Sequence, residues 1–364
     1  MNVLVVNAGS SSLKLSLIGP GDETIDSHTV ERWESGDAGP VGPFVERHDQ
    51  VGAVAHRVVH GGDRYTTATV IDDDVISGIS ALTNLAPIHQ PRAIAGIEAT
   101  RSVIGSTIEV ACFDTAFHAG MAATNRTYAL PGDWRARWPI RRFGFHGLSH
   151  AYVARRAAEV TDLPVESIRT ISCHLGSGAS LCAIAAGRSV DTTMGFTPLE
   201  GLVMGTRSGT IDPGAVLWLI QQAGLTPEDV ADGLERRSGL LGLSGRSSDM
   251  RDVLGGVDAG DQRCELALAV YVHRLVQSVA AMAASLGGLD TLVFTGGIGE
   301  NSPRVRAAAG DLLAFLGIRI AGSANDAAKG DADITEPGAV TRTVVVTARE
   351  DVQMARETRS LVGS

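Results

Sequence analysis

Lysine is nearly absent from this chain. Lys14 and Lys329 stand against 29 arginines, so a lysine kept inside a motif carries more information than an arginine does. Aromatic residues are also scarce, at 4%, and a core must be built from Val, Leu, Ile and Ala. Net positive charge is lacking: 31 basic against 41 acidic residues leave −10. That speaks against nucleic acid as a partner, because phosphate backbones need a basic footprint. A small anionic ligand stays open, since a few local arginines can reverse the field in one cleft. The four cysteines, Cys112, Cys173, Cys182 and Cys264, form no C-x-x-C pair. Three lie in apolar runs, and all read as small buried hydrophobes of a reducing compartment, not as disulfides or metal ligands. No basic start precedes a long apolar run at the N-terminus, so no signal peptide and a cytoplasmic location are expected. The most apolar long stretch, Leu266 to Leu289, contains His273, Arg274 and Gln277. It reads as a buried core helix, not a membrane span.

Glycine is abundant, with 43 in 364 residues. That is too many for a helical bundle and suits many strand-to-helix turns, with backbone approaching ligands closely. At roughly 150 residues per domain, the length suggests two domains.

The chain opens with an apolar strand, Val3 to Val6. A turn at Gly9-Ser10-Ser11-Ser12 follows, then a strand from Leu13 to Ile18 that is apolar at alternate positions. This reads as a β-hairpin. Residues 19 to about 50 read as a polar surface connection. Val51 to Val59 and Glu109 to Phe113 read as strands, with helices flanking the loop Pro87 to Pro91. The opening pattern recurs about 165 residues later: a strand Thr170 to Cys173, a turn His174 to Gly178, and a returning strand Ala179 to Ala183. Such a repeat suggests a duplicated α/β domain with a cleft between the copies. Asp212-Pro213, Thr226-Pro227 and Ser302-Pro303 each place a capping residue before a proline, marking helix starts. Residues 187 to 211 read as a long loop with five glycines, and loops of that length are usually functional.

Several motifs could carry chemistry. Asn7 to Lys14 joins small residues, hydroxyls and one lysine on the first hairpin, without the Walker A pattern. It suits either an anion or an ordinary turn. His174-Leu175-Gly176-Ser177-Gly178 is a second small-residue turn. Thr295 to Ser302, rich in glycine, joins a strand to a helix whose N-terminus would favour an anion. Together the three suit a nucleoside triphosphate far better than any one does. Arg57, at a strand end, and Arg207, in a glycine-rich loop, could fork onto carboxylate or phosphate. His146 lies between glycines. Its spacing of four to His150 allows metal binding but lacks a third ligand. Asp114 follows directly on a strand, where side chains project into clefts of open α/β folds. Glu350 and Asp351 follow the strand Val344 to Thr347 and suit either Mg²⁺ or a helix N-terminus.

These strings, in this order, resemble the acetate kinases, within the superfamily of sugar kinases, actin and the Hsp70 ATPase. The likeness runs through Asn7 to Lys14, His56 to Gly62, Ala86 to Pro91, Phe113 to His118, Arg142 to His150, Cys173 to Gly178, Met204 to Pro213, Thr295 to Ser302 and the end from Val344. The resemblance implies an α/β chain of two RNase H-like (actin-like ATPase) domains with an interdomain active-site cleft. Residues 1–118 with 351–364 would form the first domain, and 119–350 the second, which would bind nucleotide and form a homodimer.

The implied activity is reversible transfer of the γ-phosphoryl group of ATP to acetate, with Mg²⁺, or Mn²⁺ in its place, and neither nucleic acid nor membrane as partner. Arg57, Asp114, His146 and Arg207 would be the catalytic set. Arg57, Val59, Ile88, Phe145 and Pro198 would hold acetate. Lys14, His174, Leu175, Gly176, Ser177, Gly178, Asp249, Met250, Arg251, Gly297, Ile298, Gly299, Glu300 and Asn301 would contact the nucleotide, and Asn7 and Glu350 would lie at the metal. Departures include a short 19–50 segment, Ser177 where Asn is frequent, Thr210 in place of an acid, and Asp351 for a glutamate. Two other classes remain: a kinase for a longer acid such as propionate, and a non-catalytic ATP-binding regulator. Paired arginines argue against the regulator, because a nucleotide switch needs neither.

Overall fold

The structure, a computed structural model, describes residues 1–9, 12–48 and 50–363. Ser10 and Ser11 of the first turn lie outside the described residues. Two compact units emerge. The first comprises Met1–Ala119, Phe145–Tyr152 and Arg349–Ser364, and the second Gly120–Gly144 and Val153–Ala348. Ala119, Phe145–Tyr152 and Arg349–Glu350, placed in the second domain by the sequence reading, thus group with the first unit.

The first unit holds six strands: β1 (Val3–Ala8), β2 (Ser12–Ile18), β3 (Thr24–Glu31), β4 (Ala53–Val58), β5 (Thr69–Val70) and β6 (Ile108–Phe113). Their order is β3-β2-β1-β4-β6-β5. The first three run antiparallel, and β4 and β6 lie parallel to β1 and to each other. Side chains alternate between the two faces of a strand. Leu4, Val6, Leu13, Leu15, Leu17 and Val54 therefore share one face, with Trp33 and Phe44 in the same cluster. The helix Gln90–Ile104 covers that face through Ala93, Ile97 and Ala99. Asn7, Lys14, Arg57 and Asp114 have the opposite parity. On that side the helix Glu350–Val362 crosses β1 and β4, and its Met354 carbonyl accepts from the Cys112 thiol.

The second unit repeats the arrangement with β7 (Arg169–Leu175), β8 (Ala179–Ala185), β9 (Arg188–Thr192), β10 (Thr291–Thr295), β11 (Ala332–Asp333) and β12 (Arg342–Val345). Its order is β11-β12-β10-β7-β8-β9. Each strand occupies the place of the strand six earlier in the first sheet, with the same relative directions. The repeat legible in two hairpins therefore extends to whole sheets. The helix Gln262–Leu286 lies against β8. Cys264, Ala267, Tyr271, Leu275, Val279 and Met282 form its buried stripe, while Leu266 is exposed. The helix is long and apolar enough to cross a membrane by length and composition, but the three- and four-residue spacing of its buried side chains is that of a helix packed on one face.

Two connections contain more structure than their sequences suggest. Residues 19 to 50 hold β3 and the helix Val41–Glu46, whose Val41 and Phe44 are buried. β3 is an edge strand exposed along most of its length, so it lacks the apolar alternation that marks a half-buried strand. The 187–211 loop begins with β9. The helix starts behave as their sequences imply. Asp212 accepts from the Gly214 N–H, Ser302 from that of Val305, and Thr226 forms a full capping box with Asp229.

One buried acid stabilises the first sheet away from its carboxyl edge. Glu109, near the start of β6, accepts from His56 at 2.9 Å and from Arg101 at 2.5 Å. Burial raises its pKa, and His56 and Arg101 more than reverse that, so the carboxyl titrates below its ordinary value. A depressed folded pKa adds stability above the unfolded pKa, about 4.3 for glutamate, and that stability is lost as pH falls through the folded value. Glu109→Gln should therefore cost about 2 kcal/mol at pH 7, with a gap to wild type that narrows below about pH 4. Urea melts of both proteins at the two pH values check this; a gap independent of pH would show that the carboxylate charge is not what holds this corner.

Candidate functional site

Side chains assigned to chemistry in the first unit emerge at the carboxyl edge of the parallel strands β1, β4 and β6, where open α/β sheets place their ligands. Asn7 lies opposite Lys14 on the hairpin. One step beyond the Val6–His56 pairing, Asn7 comes level with Arg57, which pairs with Cys112. Asp114 follows β6 on the same side. Arg57 donates from Nε to Asp114 Oδ1 at 3.1 Å and from Nη2 to Oδ2 at 2.7 Å. Burial opposes the charge on Arg57, but Asp114, and Glu350 with it, more than offset that and raise its pKa above the ordinary value.

The neighbours of this fork are tightly placed. His146 takes a left-handed φ of 55°, a conformation rare outside glycine. Gly147 follows, donating its N–H to the Asp114 carbonyl at 2.8 Å. A Cβ at Gly147 would stand 2.2 Å from that oxygen, so only glycine fits. Phe145 is buried with its ring edge-on to His60 at 5.6 Å, and its carbonyl faces His118 Nε2 at 3.0 Å. Val59 is half-buried and Ile88 is exposed. Of the two acids left open by sequence, Asp351 is engaged: its Oδ1 accepts from Arg349 Nε at 3.0 Å and from the Val352 N–H at 2.9 Å. Glu350, at the start of the same helix, takes no hydrogen bond from a described residue, and its charge acts on Arg57.

The second unit carries a cavity of about 480 Å³ with three walls. The Gly176-Ser177 turn after β7 forms one, and Ser248 to Arg251 with Leu254 another. Gly297, Ile298, Asn301 and Ser302 form the third. Asp249 caps its helix through the Arg251 N–H at 2.8 Å and holds the Arg251 guanidinium at 2.6 Å. Those bonds keep its carboxyl below the ordinary range. Of the residues proposed for nucleotide in this unit, His174, Leu175, Gly178, Gly299 and Glu300 do not line the cavity. Leu175 is buried at the end of β7. Glu300 turns back to accept from the Gly296 N–H at 2.9 Å, within a short helix, Gly296–Asn301, where the sequence reads as a turn; the helix whose N-terminus was expected to favour an anion starts at Pro303 and is capped by Ser302. Ser248 and Leu254 line the cavity but escaped the sequence reading, and Ser302 stood in the Thr295–Ser302 motif without being named as a contact. Leu254 falls four residues after Met250, one helical turn on.

Arg207 sits in the glycine-rich loop, which is strapped to the cavity's first wall by the Gly205 N–H on the Ser177 carbonyl at 3.0 Å. The loop's other side is bound to residues 234 to 241, with Leu240 donating to the Met204 carbonyl and Ser238 to that of Thr206. Gly239 allows this, since a Cβ there would lie 2.2 Å from the Met204 carbonyl. Earlier in the loop, Arg142 donates to the carbonyls of Thr192, Thr193 and Met194 and to Glu200. Arg207 itself is half-buried and donates to the half-buried Pro198 through its carbonyl at 3.0 Å and to the Met204 sulfur at 3.7 Å. No described acid bonds it. Burial lowers its pKa, and Glu235 only partly compensates. The four cysteines are buried and unbridged, three of them in β6, β7 and β8. Burial pushes the Cys182 thiol up to about 12, which leaves it unreactive.

Comparison with known proteins agrees with this geometry. The model of the acetokinase family matches residues 43–356. An acetate kinase of Synechococcus sp. is 44% identical over 402 residues, covering 100% of this chain and 99% of the relative. The crystal structure of Porphyromonas gingivalis acetate kinase superposes with a TM-score of 0.93 at 33% identity, covering 99% of both chains. That of a propionate kinase from Francisella tularensis gives 0.90 at 34% identity, with 98% of both covered. A family model matched over most of the chain, and a full-length relative at this identity, settle the membership: the chain belongs to the acetokinase family.

Proposed function

We propose that the chain transfers the γ-phosphoryl group of ATP to acetate, reversibly, giving acetyl phosphate and ADP. One observation carries the reading. Arg207 is a half-buried cation with no described acid bonded to it, and a buried charge without a partner is costly unless an anion arrives to pair with it. Transfer to a carboxylate brings two anions together and supplies that need.

Acetate is ionised at neutral pH, so its oxygen attacks phosphorus without losing a proton. The new bond joins the acetate oxygen to the γ-phosphorus, and the bond from that phosphorus to the β,γ-bridging oxygen breaks. Its electron pair leaves with ADP. Catalysis then reduces to positioning and charge stabilisation. Arg57 commits Nε and Nη2 to Asp114, which leaves Nη1 for an oxygen of acetate or of the moving phosphoryl group. Asp114 is thus an orienting group and not a base, since no proton has to be removed. His146 would donate to the equatorial oxygens. Val59, Ile88 and Phe145, with Pro198, would surround the methyl group. Lys14 would meet the phosphates of ATP, and the walls at Gly176-Ser177, Asp249–Arg251 and Gly297–Asn301 would hold its nucleoside.

A divalent cation fits the first unit. Among the described residues no three His, Cys, Asp or Glu side chains form a cage, but Mg²⁺ commonly takes one or two protein oxygens and completes its shell with water and phosphate. Glu350, open to a ligand, and Asn7 on β1 would hold it. Bound there it would neutralise charge on the phosphates. A homodimer built through the second unit and a cytoplasmic location complete the proposal.

Propionate is a second reading, favoured by the likeness to a propionate kinase, at a TM-score of 0.90 against 0.93 for an acetate kinase. Hydroxamate formation from ATP and a panel of short carboxylates separates the two. Acetate should give the highest kcat/KM, with propionate lower by the 1–3 kcal/mol that one methylene typically commands. A preference for propionate would transfer the assignment, and no product with any acid would end it.

Arg207→Ala should cut kcat by on the order of 3 kcal/mol in barrier and leave the dissociation constant for ATP nearly unchanged. Turnover near that of wild type would remove Arg207 from the mechanism. The adjacent acids separate by a different readout. Glu350→Ala should raise the Mg²⁺ concentration needed for half-maximal rate, whereas Asp351→Ala should leave it alone and lower the melting temperature, because an acid in the first turn of a helix contributes up to about 1 kcal/mol. The opposite pattern would move the metal to Asp351.

A further inference from the structure

The wall of the cavity formed by the helix Gly296–Asn301 is held at both ends by charged side chains of its own unit. At the far end Arg306 is fully buried and donates from Nη1 to the carbonyls of Gly299 and Glu300, both at 2.8 Å. Arg306 is locked in turn by Asn325, whose Oδ1 accepts from Nε and whose carbonyl accepts from Nη2, both at 2.7 Å. At the near end Glu300 Oε1 accepts from the Gly296 N–H at 2.9 Å. The same oxygen accepts from the N–H of Ala348 at 3.0 Å.

Ala348 is the last residue of the second unit, and Glu350 follows two residues later. The backbone here is leaving the sheet. The Val346 N–H still bonds the Phe294 carbonyl of β10 at 3.0 Å. The next N–H, of Thr347, goes to Asp331 Oδ1 at 2.8 Å, and that of Ala348 goes to Glu300. The exit from β12 is therefore held by two carboxylates where the ladder has ended. Because Arg306 fixes the main chain of Glu300, its side chain has little freedom to follow one of its two N–H partners and abandon the other. A shift of the Gly296–Asn301 wall must then appear at Ala348.

We propose that Glu300 is a positioning residue that couples nucleotide binding at the Gly297–Ser302 wall to divalent-cation binding at Glu350. It touches neither ligand. It sets the backbone on which one sits and the backbone that leads to the other. The inference rests on the reading of that cavity as the nucleotide site and of Glu350 as a metal ligand.

The test uses full-length protein and calorimetric titration of ADP, first in EDTA and then across a Mg²⁺ series. The quantity read is the gain in ADP affinity that Mg²⁺ produces, since coupling between two ligands is reciprocal. Glu300→Ala should weaken ADP in EDTA and cut that gain roughly tenfold, the scale seen when a group supporting a metal ligand is removed. Glu300→Gln keeps an acceptor oxygen for both N–H groups and should restore most of each. A folded Glu300→Ala with an undiminished gain would overturn the proposal, as would a Gln variant no better than Ala. If the Ala variant does not fold, Glu300→Asp replaces it, one methylene too short to reach both N–H groups. Acetyl phosphate formation by wild type is measured beside these titrations: its absence would sink the assigned reaction, while the ADP and Mg²⁺ binding still decides the role of Glu300.

Discussion

Two hydrogen bonds from Arg57 to Asp114 determine where positive charge can act in the first unit. A guanidinium at a strand end has several rotamers, and a free one would lose considerable entropy on meeting a ligand. Here both oxygens of a nearly inaccessible carboxylate hold two of its nitrogens, in the planar fork that arginine forms best. Asp114 is itself held through its main chain, its N–H on the Val58 carbonyl and its carbonyl on the Gly147 N–H. The left-handed His146 is then anchored one residue from the same point. Removing the fork would therefore disturb more than one charge, because the strand end, the histidine turn and the arginine are mutually dependent. The cost of the strained histidine backbone is met by the packing of Phe145 and Gly147 around it, as strain at functional positions generally is.

The duplicated sheets end in two different kinds of surface. Both hairpins end β1 or β7 with a glycine whose N–H closes onto the far side of the turn, Gly9 onto Ser12 at 2.8 Å and Gly176 onto Gly178 at 3.0 Å. The first sheet then places acidic and basic residues near its carboxyl edge: Lys14, Arg57, Asp114 and Glu350. The second offers mostly small residues and main chain, with Gly176, Ser177, Gly297 and Ile298 among the cavity walls. A nucleoside is large and weakly charged at its base, so flat backbone surfaces suit it. A reacting acid and phosphoryl group carry their charge within a few ångströms and need directed donors. On the proposed reading, one topology would then support two chemistries through residues at the ends of its strands.

Much of this was legible because local signals were strong. The hairpins announce themselves through alternate apolar residues, and Thr226 with Asp229 spells out its cap. The position of Arg57 before Val58-Val59 and of Asp114 after Phe113 already implies a carboxyl edge. What was hidden had no local signal. β3, exposed at the sheet edge, offers neither alternation nor an apolar run. Glu300 stands among cavity residues in sequence, yet a side chain can point either way from a short helix, and this one points back to Gly296. Asp351 and Glu350 are neighbours of equal charge, separable only once Arg349 and the helix N-terminus are seen to claim the former. Leu254 lines the cavity because a helix turn brings it beside Met250, a relation that becomes readable only after the helix from Asp249 is known.

Three buried or half-buried arginines, finally, show how composition misleads and geometry corrects. With 29 arginines in the chain, residue type alone ranks none above another. Arg306, the most buried, spends its donors on carbonyls and Asn325, which satisfies its geometry without a carboxylate. Arg57 is charge-compensated by Asp114. Arg207 has one carbonyl and a sulfur, and burial lowers its pKa where Asp114 and Glu350 raise that of Arg57. The desolvation cost of Arg207 is therefore left outstanding in the protein alone. An external anion would complete this arginine, and phosphoryl transfer, which conserves charge while drawing a carboxylate and a phosphoryl group together, would bring two anionic groups within reach of one guanidinium. The loop's ties to Ser177 and Leu240 hold the backbone leading to Arg207, so the lack of an acid partner among the described residues follows from the path of the loop.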